Sequence, residues 1–326
     1  TKILFKKYNL DKINKNFKIK KKNYKINKIN LKLNDISLFS KSVSINKSKK
    51  DFIVEGTLEN KNISLEDKIF EKLINSYLKN IEIKRINLNS KNKFSFKINN
   101  NYKFSDINIL STVFLNNLKF TNYPKLNKFL PNIKKDIELN NHKLNIKYKK
   151  DNLSFKGSGK ILFQEKEDSI DYDFQNKNKK LIFNSNLTIE NNPLIIDFLG
   201  YEKKLKNKVL ISLKGTHFFN KKTVFENFSL KEKKNRFNIQ QLVLDLEGNI
   251  NNFDKVSMNY LDKDMRENKL NLTKKGQKFN LVGPKFNANY LIGNLFNDDK
   301  SFKFRLNKDL NLNVEIDQVF LDTNFQ

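Results

Sequence analysis

The sequence predicts a mainly β protein: an extended, curved antiparallel sheet, either a β-trough or an open sandwich, with one or two short helices. Three observations carry this. Apolar and polar residues alternate with period two in run after run, which places one side of each strand in an apolar environment and the other in water. The runs recur at a spacing of about 8–12 residues, the rhythm of an all-β meander, sandwich or barrel. Aromatic residues make up 12% of the chain, with 29 Phe and 10 Tyr, whereas disordered chains are poor in them.

The alternation begins with Tyr24 and Ile26, then Ile29, Leu31 and Leu33, then Ile36 and Leu38, then Phe52, Val54, Gly56 and Leu58. Beyond residue 80 it resumes with Ile81 and Ile83, and with Ile86 and Leu88. Phe94, Phe96 and Ile98 come next, then Tyr102 and Phe104, then Ile107 and Ile109. Leu144, Ile146 and Tyr148 form another run, as do Leu153, Phe155 and Gly157, and Ile170, Tyr172 and Phe174. Later runs are Leu181 with Phe183, Leu187 with Ile189, Leu242 with Leu244 and Leu246, and finally Leu310, Leu312, Val314 and Ile316. Between them stand Asn, Lys, Asp and Ser, as in Asn99-Asn100-Asn101 and Lys149-Lys150-Asp151-Asn152. Asn and Asp there can take left-handed turn conformations.

Helical spacing is confined to short stretches. Ser64 to Lys79 carries Ile69, Phe70, Leu73, Ile74 and Tyr77 at helical intervals, with Ser64 and Asp67 as a capping pair. Ala288 to Phe296 is a second candidate, and Pro193–Tyr201 reads as a turn or a short helix. Tyr123–Pro131 reads as an irregular loop. No Pro/Gly/Ser linker divides the chain, so residues 1–326 read as one elongated β unit, a fragment or mature form of a longer protein, with a sub-boundary near 64–79.

The formal net charge is +29, which taken alone points to nucleic acid or an anionic surface. Arginine, however, stands only at Arg85, Arg236, Arg266 and Arg305. Lys, Asn and Ile share AT-rich codons, and base readers favour arginine's bidentate fork. Lys does alternate with aromatics in Tyr102-Lys103-Phe104 and Phe302-Lys303-Phe304, but neighbours in a strand face opposite ways. Stacking and phosphate contact from one face are then not available together. Nucleic acid is disfavoured as a partner on that ground.

Catalysis finds no constellation to work with. There is no cysteine, which removes disulfides, thiolate metal sites and cysteine nucleophiles. The two histidines, His142 in the turn-like Asn141-His142-Lys143 and His217 before Phe218, are far apart in sequence and read as surface or half-buried imidazoles. Glu165-Lys166-Glu167-Asp168 reads as a solvated turn, and Asp262, Asp264 and Glu267 also lack the spacing of a calcium loop. Gly157-Ser158-Gly159-Lys160 is no phosphate loop, because alternation runs through it into Ile161 and Phe163; its glycines read as relief of crowding within strands. No enzyme activity, cofactor or metal is expected, and no stretch approaches the roughly 20 apolar residues of a membrane helix.

An apolar sheet face needs a cover. A second sheet, closure into a barrel, or a ligand would each serve. The C-terminal third bears on the choice. Gly283-Pro284-Lys285-Phe286-Asn287-Ala288-Asn289-Tyr290-Leu291-Ile292, with Leu295-Phe296, is followed by the strand Leu310 to Ile316, Asp317 and Val319. This resembles the C-terminal region of AsmA-like (AsmA, TamB and YhdP-type) envelope proteins, with Asn287 where that family has Asp. Pro193 to Lys204 resembles a segment upstream in the same family. The resemblance covers about a third of the chain, mostly 190–326.

The resemblance implies a non-catalytic periplasmic segment, tethered to the inner membrane of a Gram-negative bacterium through an anchor outside this chain. It would contribute to phospholipid transport or outer-membrane biogenesis, its partner a phospholipid or other acyl-chain lipid held in an apolar β-trough. The candidate lipid-contacting residues are Phe94, Phe96, Ile98, Tyr102, Phe104, Leu144, Ile146, Tyr148, Leu153, Phe155, Leu181, Phe183, Leu242, Leu244, Leu246, Leu312, Val314 and Ile316. A basic nucleic-acid-binding β protein and a structural sandwich or surface adhesin are the alternatives.

Overall fold

The computed structural model describes residues 10–20, 23–33, 36–66, 82–121, 130–150, 152–276, 278–296 and 311–321. The chain is mainly β, as the alternation predicts. The strands are β1 (Leu10–Lys20), β2 (Asn23–Leu33), β3 (Ile36–Lys47), β4 (Asp51–Glu66), β5 (Ile83–Asn99), β6 (Phe104–Thr121), β7 (Asp136–Lys149), β8 (Asn152–Leu162), β9 (Asp168–Lys177) and β10 (Lys180–Ile189). There follow β11 (Ile195–Ile196), β12 (Tyr201–Glu202), β13 (Val209–Phe218), β14 (Lys222–Glu232), β15 (Asn235–Leu244), β16 (Ile250–Asn252), β17 (Lys255–Leu261), β18 (Glu267–Lys275), β19 (Lys278–Asn287) and β20 (Asn311–Phe320). Helix α1 (Asn289–Phe296) lies between the last two. Among the described residues, eighteen strands belong to the main sheet, and β11 and β12 form a separate pair.

The chain divides into two compact units. The first takes residues 1–121, 136–160 and 175–178; the second takes 122–135, 161–174 and 179–326. In the first, β1 to β7 pair antiparallel in chain order. In the second, β10, β13, β14, β15, β17, β18 and β19 do the same, and β20 joins β19 in parallel.

Tight turns close these hairpins, with left-handed residues at Asn220 (φ 58°), between β13 and β14, and Lys233 (φ 49°), between β14 and β15. Asn suits that conformation because its side chain bonds locally. Lys at φ > 0, also at Lys150, was not foreseen. A turn pinned by strand pairing on both sides tolerates the local cost of a left-handed side chain.

The expected helix at Ala288–Phe296 is α1. Pro193–Tyr201 holds β11 and a single 3-10 turn, Asp197–Leu199. Of the stretch 64–79, Ser64 to Glu66 are strand rather than helix, because the ladder continues there with Ser64 opposite Asn87; 67–79 lie outside the described residues. So does most of Tyr123–Pro131.

In the first unit, bulges line up across neighbouring strands. The register shifts at Asn60/Ile63 of β4 and at Leu115/Asn117 of β6, beside left-handed Asn141 of β7 (φ 54°), while Ile63, Leu88, Leu115 and His142 remain in one row. Each extra residue bends its strand and tightens the local twist.

His142 corrects its expected place. It is not in a surface turn but in β7, 1% exposed, with its Nε2 2.8 Å from the Lys160 carbonyl. Space for the ring comes from Gly159, where a Cβ would stand 2.3 Å from His142 Cδ2. Gly159→Val overfills this site, so we expect a loss of about 1–3 kcal/mol in urea unfolding. With His142→Ala as well, the combined loss is expected to be clearly smaller than the sum of the two single losses.

Candidate functional site

The first unit presents two chemically opposed faces, and the registers say which side chains share each. Residues directly opposite across a ladder lie on one side of the sheet. Tyr24 stands opposite Ile45, Ile45 opposite Val54, and Val54 opposite Phe96. One row along, Ile26, Val43, Gly56, Phe94, Ile109 and Tyr148 follow one another across six strands. Phe52, Ile98 and Phe104 make a third row. The aromatic rings touch: Phe94 and Phe96 are stacked at 5.8 Å, and Phe96 and Phe104 lie 5.4 Å apart.

Most of this face is half-buried rather than enclosed. Val54 is buried, while Phe94, Phe96, Ile98, Ile109, Leu144, Ile146 and Tyr148 are intermediate and Phe104 is 40% exposed. Leu153 and Phe155 are likewise half-buried in β8, with the parity of Gly159, which faces His142. Tyr102 is the exception. It occupies the β5–β6 turn at φ 54° and is 85% exposed, because Asn99 accepts its backbone N–H and closes the turn.

A polar band crosses the apolar face and was not anticipated. Asn60, Ser90 and Asn92 occupy the same side as Phe94, and they bond to one another: Asn60 Nδ2 to Ser90 Oγ at 2.9 Å, Asn92 Nδ2 to Ser90 Oγ at 2.8 Å. The band separates the Phe94–Phe96 patch from a second apolar row of Ile63, Leu88 and Leu115. Its amides are satisfied internally, so the band adds little free hydrogen-bonding demand to the surface.

The reverse face carries the charge. Thr57, Lys93, Leu110 and Lys147 form one row, and Glu55, Ser95, Asn108 and Lys149 the next. Lys91 pairs with Glu59 at 3.1 Å and Lys97 with Asp106 at 2.6 Å.

The second unit has a deeper core. Leu187, Ile211, Leu230, Phe237, Met258 and Leu270 run in one row across six strands. At this end of the strands the segment 192–208 lies over the apolar face. Tyr201 is fully buried, its ring 5.0 Å from Phe237 and 6.2 Å from Tyr260. Tyr260 donates to the Leu199 carbonyl at 3.0 Å. Gly200 must be glycine here, with φ 60° and the Tyr290 ring of α1 2.2 Å from where its Cβ would be. Away from this cover the face is more open. Leu181 and Phe183 stand in rows with Leu244 and Leu242, and Phe183 contacts Phe174 at 6.5 Å and Phe225 at 5.4 Å. Leu312 and Val314 lie opposite Phe279 and Leu281, 43% and 52% exposed, and Ile316 lies opposite Gly283. Leu246 is not in a strand. Asp245 bonds ahead to Asn249 and draws Leu246 into a turn, 56% exposed.

Three buried carboxylates hold the covered end, and one of them corrects its expected place. Asp168, expected in a solvated turn, is 2% exposed and receives the Glu190 and Asn191 amides and Asn192 Nδ2. Asp262, also 2% exposed, receives the amides of Asp264 and Arg266 and the side chains of Asn268 and Asn287. Glu232 receives Tyr201 Oη at 2.9 Å, the Lys204 amide at 3.1 Å, Asn207 Nδ2 at 2.7 Å and Asn235 Nδ2 at 2.9 Å. Such carboxylates act as struts: every donor is a neutral amide or phenol, and the bonds tie segment to strand. His217 lies in β13 with Nδ1 2.9 Å from Thr223 Oγ1.

No helix among the described residues is long and apolar enough to cross a membrane. No protein-family model, curated protein or solved structure matches the chain.

Burial raises the Glu232 pKa, but its four hydrogen bonds outweigh that and hold it below the usual 4.5. Its folded value is therefore depressed, so its stabilisation is complete above about pH 4.5 and is lost as pH falls through the folded value. We expect Glu232→Gln to lower the urea midpoint at pH 7. The gap between wild type and variant should narrow at pH values below the folded pKa. A gap that stays constant on acidification would show that the ionised form contributes nothing.

Proposed function

We propose that this chain is a non-catalytic, AsmA-like segment that holds the acyl chains of a phospholipid or similar lipid against its apolar sheet face. The observation that carries the reading is the half-buried face of the first unit, with Phe94, Phe96, Ile98, Phe104, Ile109 and Tyr148 side by side. A strand face of this width, not enclosed by a second layer among the described residues, suits a flexible hydrocarbon. Each methylene removed from water there contributes about 0.8 kcal/mol.

The C-terminal order adds support. Strand β19, the Phe286-Asn287-Ala288 corner, α1 and β20 follow one another as the family resemblance leads one to expect. Asn287 at the Asp position donates to Asp262 at 2.8 Å, which a carboxylate there would not do. On this reading the protein works in the periplasm, anchored to the inner membrane by a segment outside these residues, in phospholipid transport or outer-membrane biogenesis.

Gently purified protein should release phospholipid on solvent extraction, and delipidated protein should take up a fluorescent phospholipid. Phe94→Ser with Phe96→Ser removes two ring contacts of about 1.5–3 kcal/mol each, so uptake should weaken by at least about a hundredfold. Circular dichroism reports whether the sheet survives. Absence of both extracted lipid and uptake in the wild type would end the carrier reading.

A further inference from the structure

We propose that the reverse, lysine-bearing face of the first unit docks on an anionic bilayer surface, with Leu110 and Phe114 as the inserting residues. Both sit on β6, four residues apart and so on one side, about 13 Å from each other. They are 51% and 49% exposed, on the lysine-bearing face. Alternation does not account for them, because their side is the solvent side.

Their neighbours are cationic. Leu110 is flanked across both adjacent ladders by lysine, Lys93 on β5 and Lys147 on β7. Phe114 stands opposite Lys143. Lys149 extends the row along β7, and all four lysines are exposed. The nearby carboxylates Glu59 and Asp106 are taken up by Lys91 and Lys97, leaving Glu55 against these four lysines. Beside Leu110, a shallow concavity lined by Ser44, Thr57, Ser95 and Asn108 offers polar contacts at headgroup depth.

Exposed apolar side chains set among lysines are what an interfacial lipid surface selects: the apolar tips enter the acyl boundary and the ammonium groups meet anionic headgroups. A nucleic-acid strand needs successive aromatic platforms, and the exposed rings on this side, Phe39 on β3 and Phe114 on β6, lie three strands apart. The inference stands apart from the carrier reading, since the Phe94–Phe96 face lies on the other side of the sheet.

The test is vesicle flotation of the whole chain with neutral phosphatidylcholine and with phosphatidylcholine containing roughly one-third phosphatidylglycerol. Binding should require the anionic lipid and weaken with salt. Lys93→Gln with Lys147→Gln should reduce partitioning about 30-fold, while Lys255→Gln with Lys278→Gln in the second unit, an equal charge loss, should change it little. Leu110→Ser with Phe114→Ser should weaken binding without altering the salt slope. Equal losses from the two lysine pairs would overturn the proposal, as would equal binding to neutral vesicles. Binding to a single-stranded oligonucleotide that depends on Lys93 and Lys147, without vesicle binding, would overturn it too. Phospholipid uptake is read separately, so failure of the carrier reading leaves these outcomes interpretable.

Discussion

The pleat of the β-strand is the constraint on which this structure depends. Successive side chains leave a strand on opposite sides, so a chain written Lys-Phe-Ser-Phe-Lys must separate its rings from its charges once it pairs. Residues 93–97 do this. Phe94 and Phe96 join the apolar row, while Lys93, Ser95 and Lys97 go to the reverse face. The same rule acting on strand after strand gives the first unit two surfaces of different character from one layer of backbone.

The two units satisfy their apolar faces differently. The second places part of its own chain, residues 192–208 and α1, over the ends of its strands, and Ile189, Val209, Leu230, Phe237 and Tyr260 are buried there as a result. That cover is held by polar struts as much as by packing. Asp168, Glu232 and Asp262 each gather three or four neutral donors, the condition under which a buried carboxylate is tolerated. In the first unit, the described residues that are buried and apolar are few: Ile29, Val54, Ile63, Ile83, Ile86, Leu115 and Ile137.

Much of this was legible in the sequence, because period two is a local signal and strands obey it locally. The strands around Phe94, Leu144, Phe183 and Val314 fall where alternation puts them. What escaped was non-local. Tyr102 and Leu246 keep the parity of their neighbours, yet turn hydrogen bonds from Asn99 and Asp245 take them out of the strand. His142 reads as a turn residue until Gly159, seventeen positions on, is seen to leave room for its ring. Asp168 reads as solvated, and nothing marks Asp262 as a buried strut, because their partners, Asn192 and Asn287, are more than twenty residues away. The polar band of Asn60, Ser90 and Asn92 depends on register, which no single strand reveals.

The bulges at Asn60/Ile63 of β4 and Leu115/Asn117 of β6 carry a consequence for how this sequence can change. Each absorbs one odd residue between two stretches that must stay in phase. A single deletion within an ordinary stretch of β4 or β6 exchanges inside for outside for every residue between it and the next turn, and so destroys the face. The same deletion beside a bulge merely restores regular pairing and leaves parity intact on both sides. Length variation among relatives of this protein should therefore gather at the bulges and turns, and within the strands it should come in pairs.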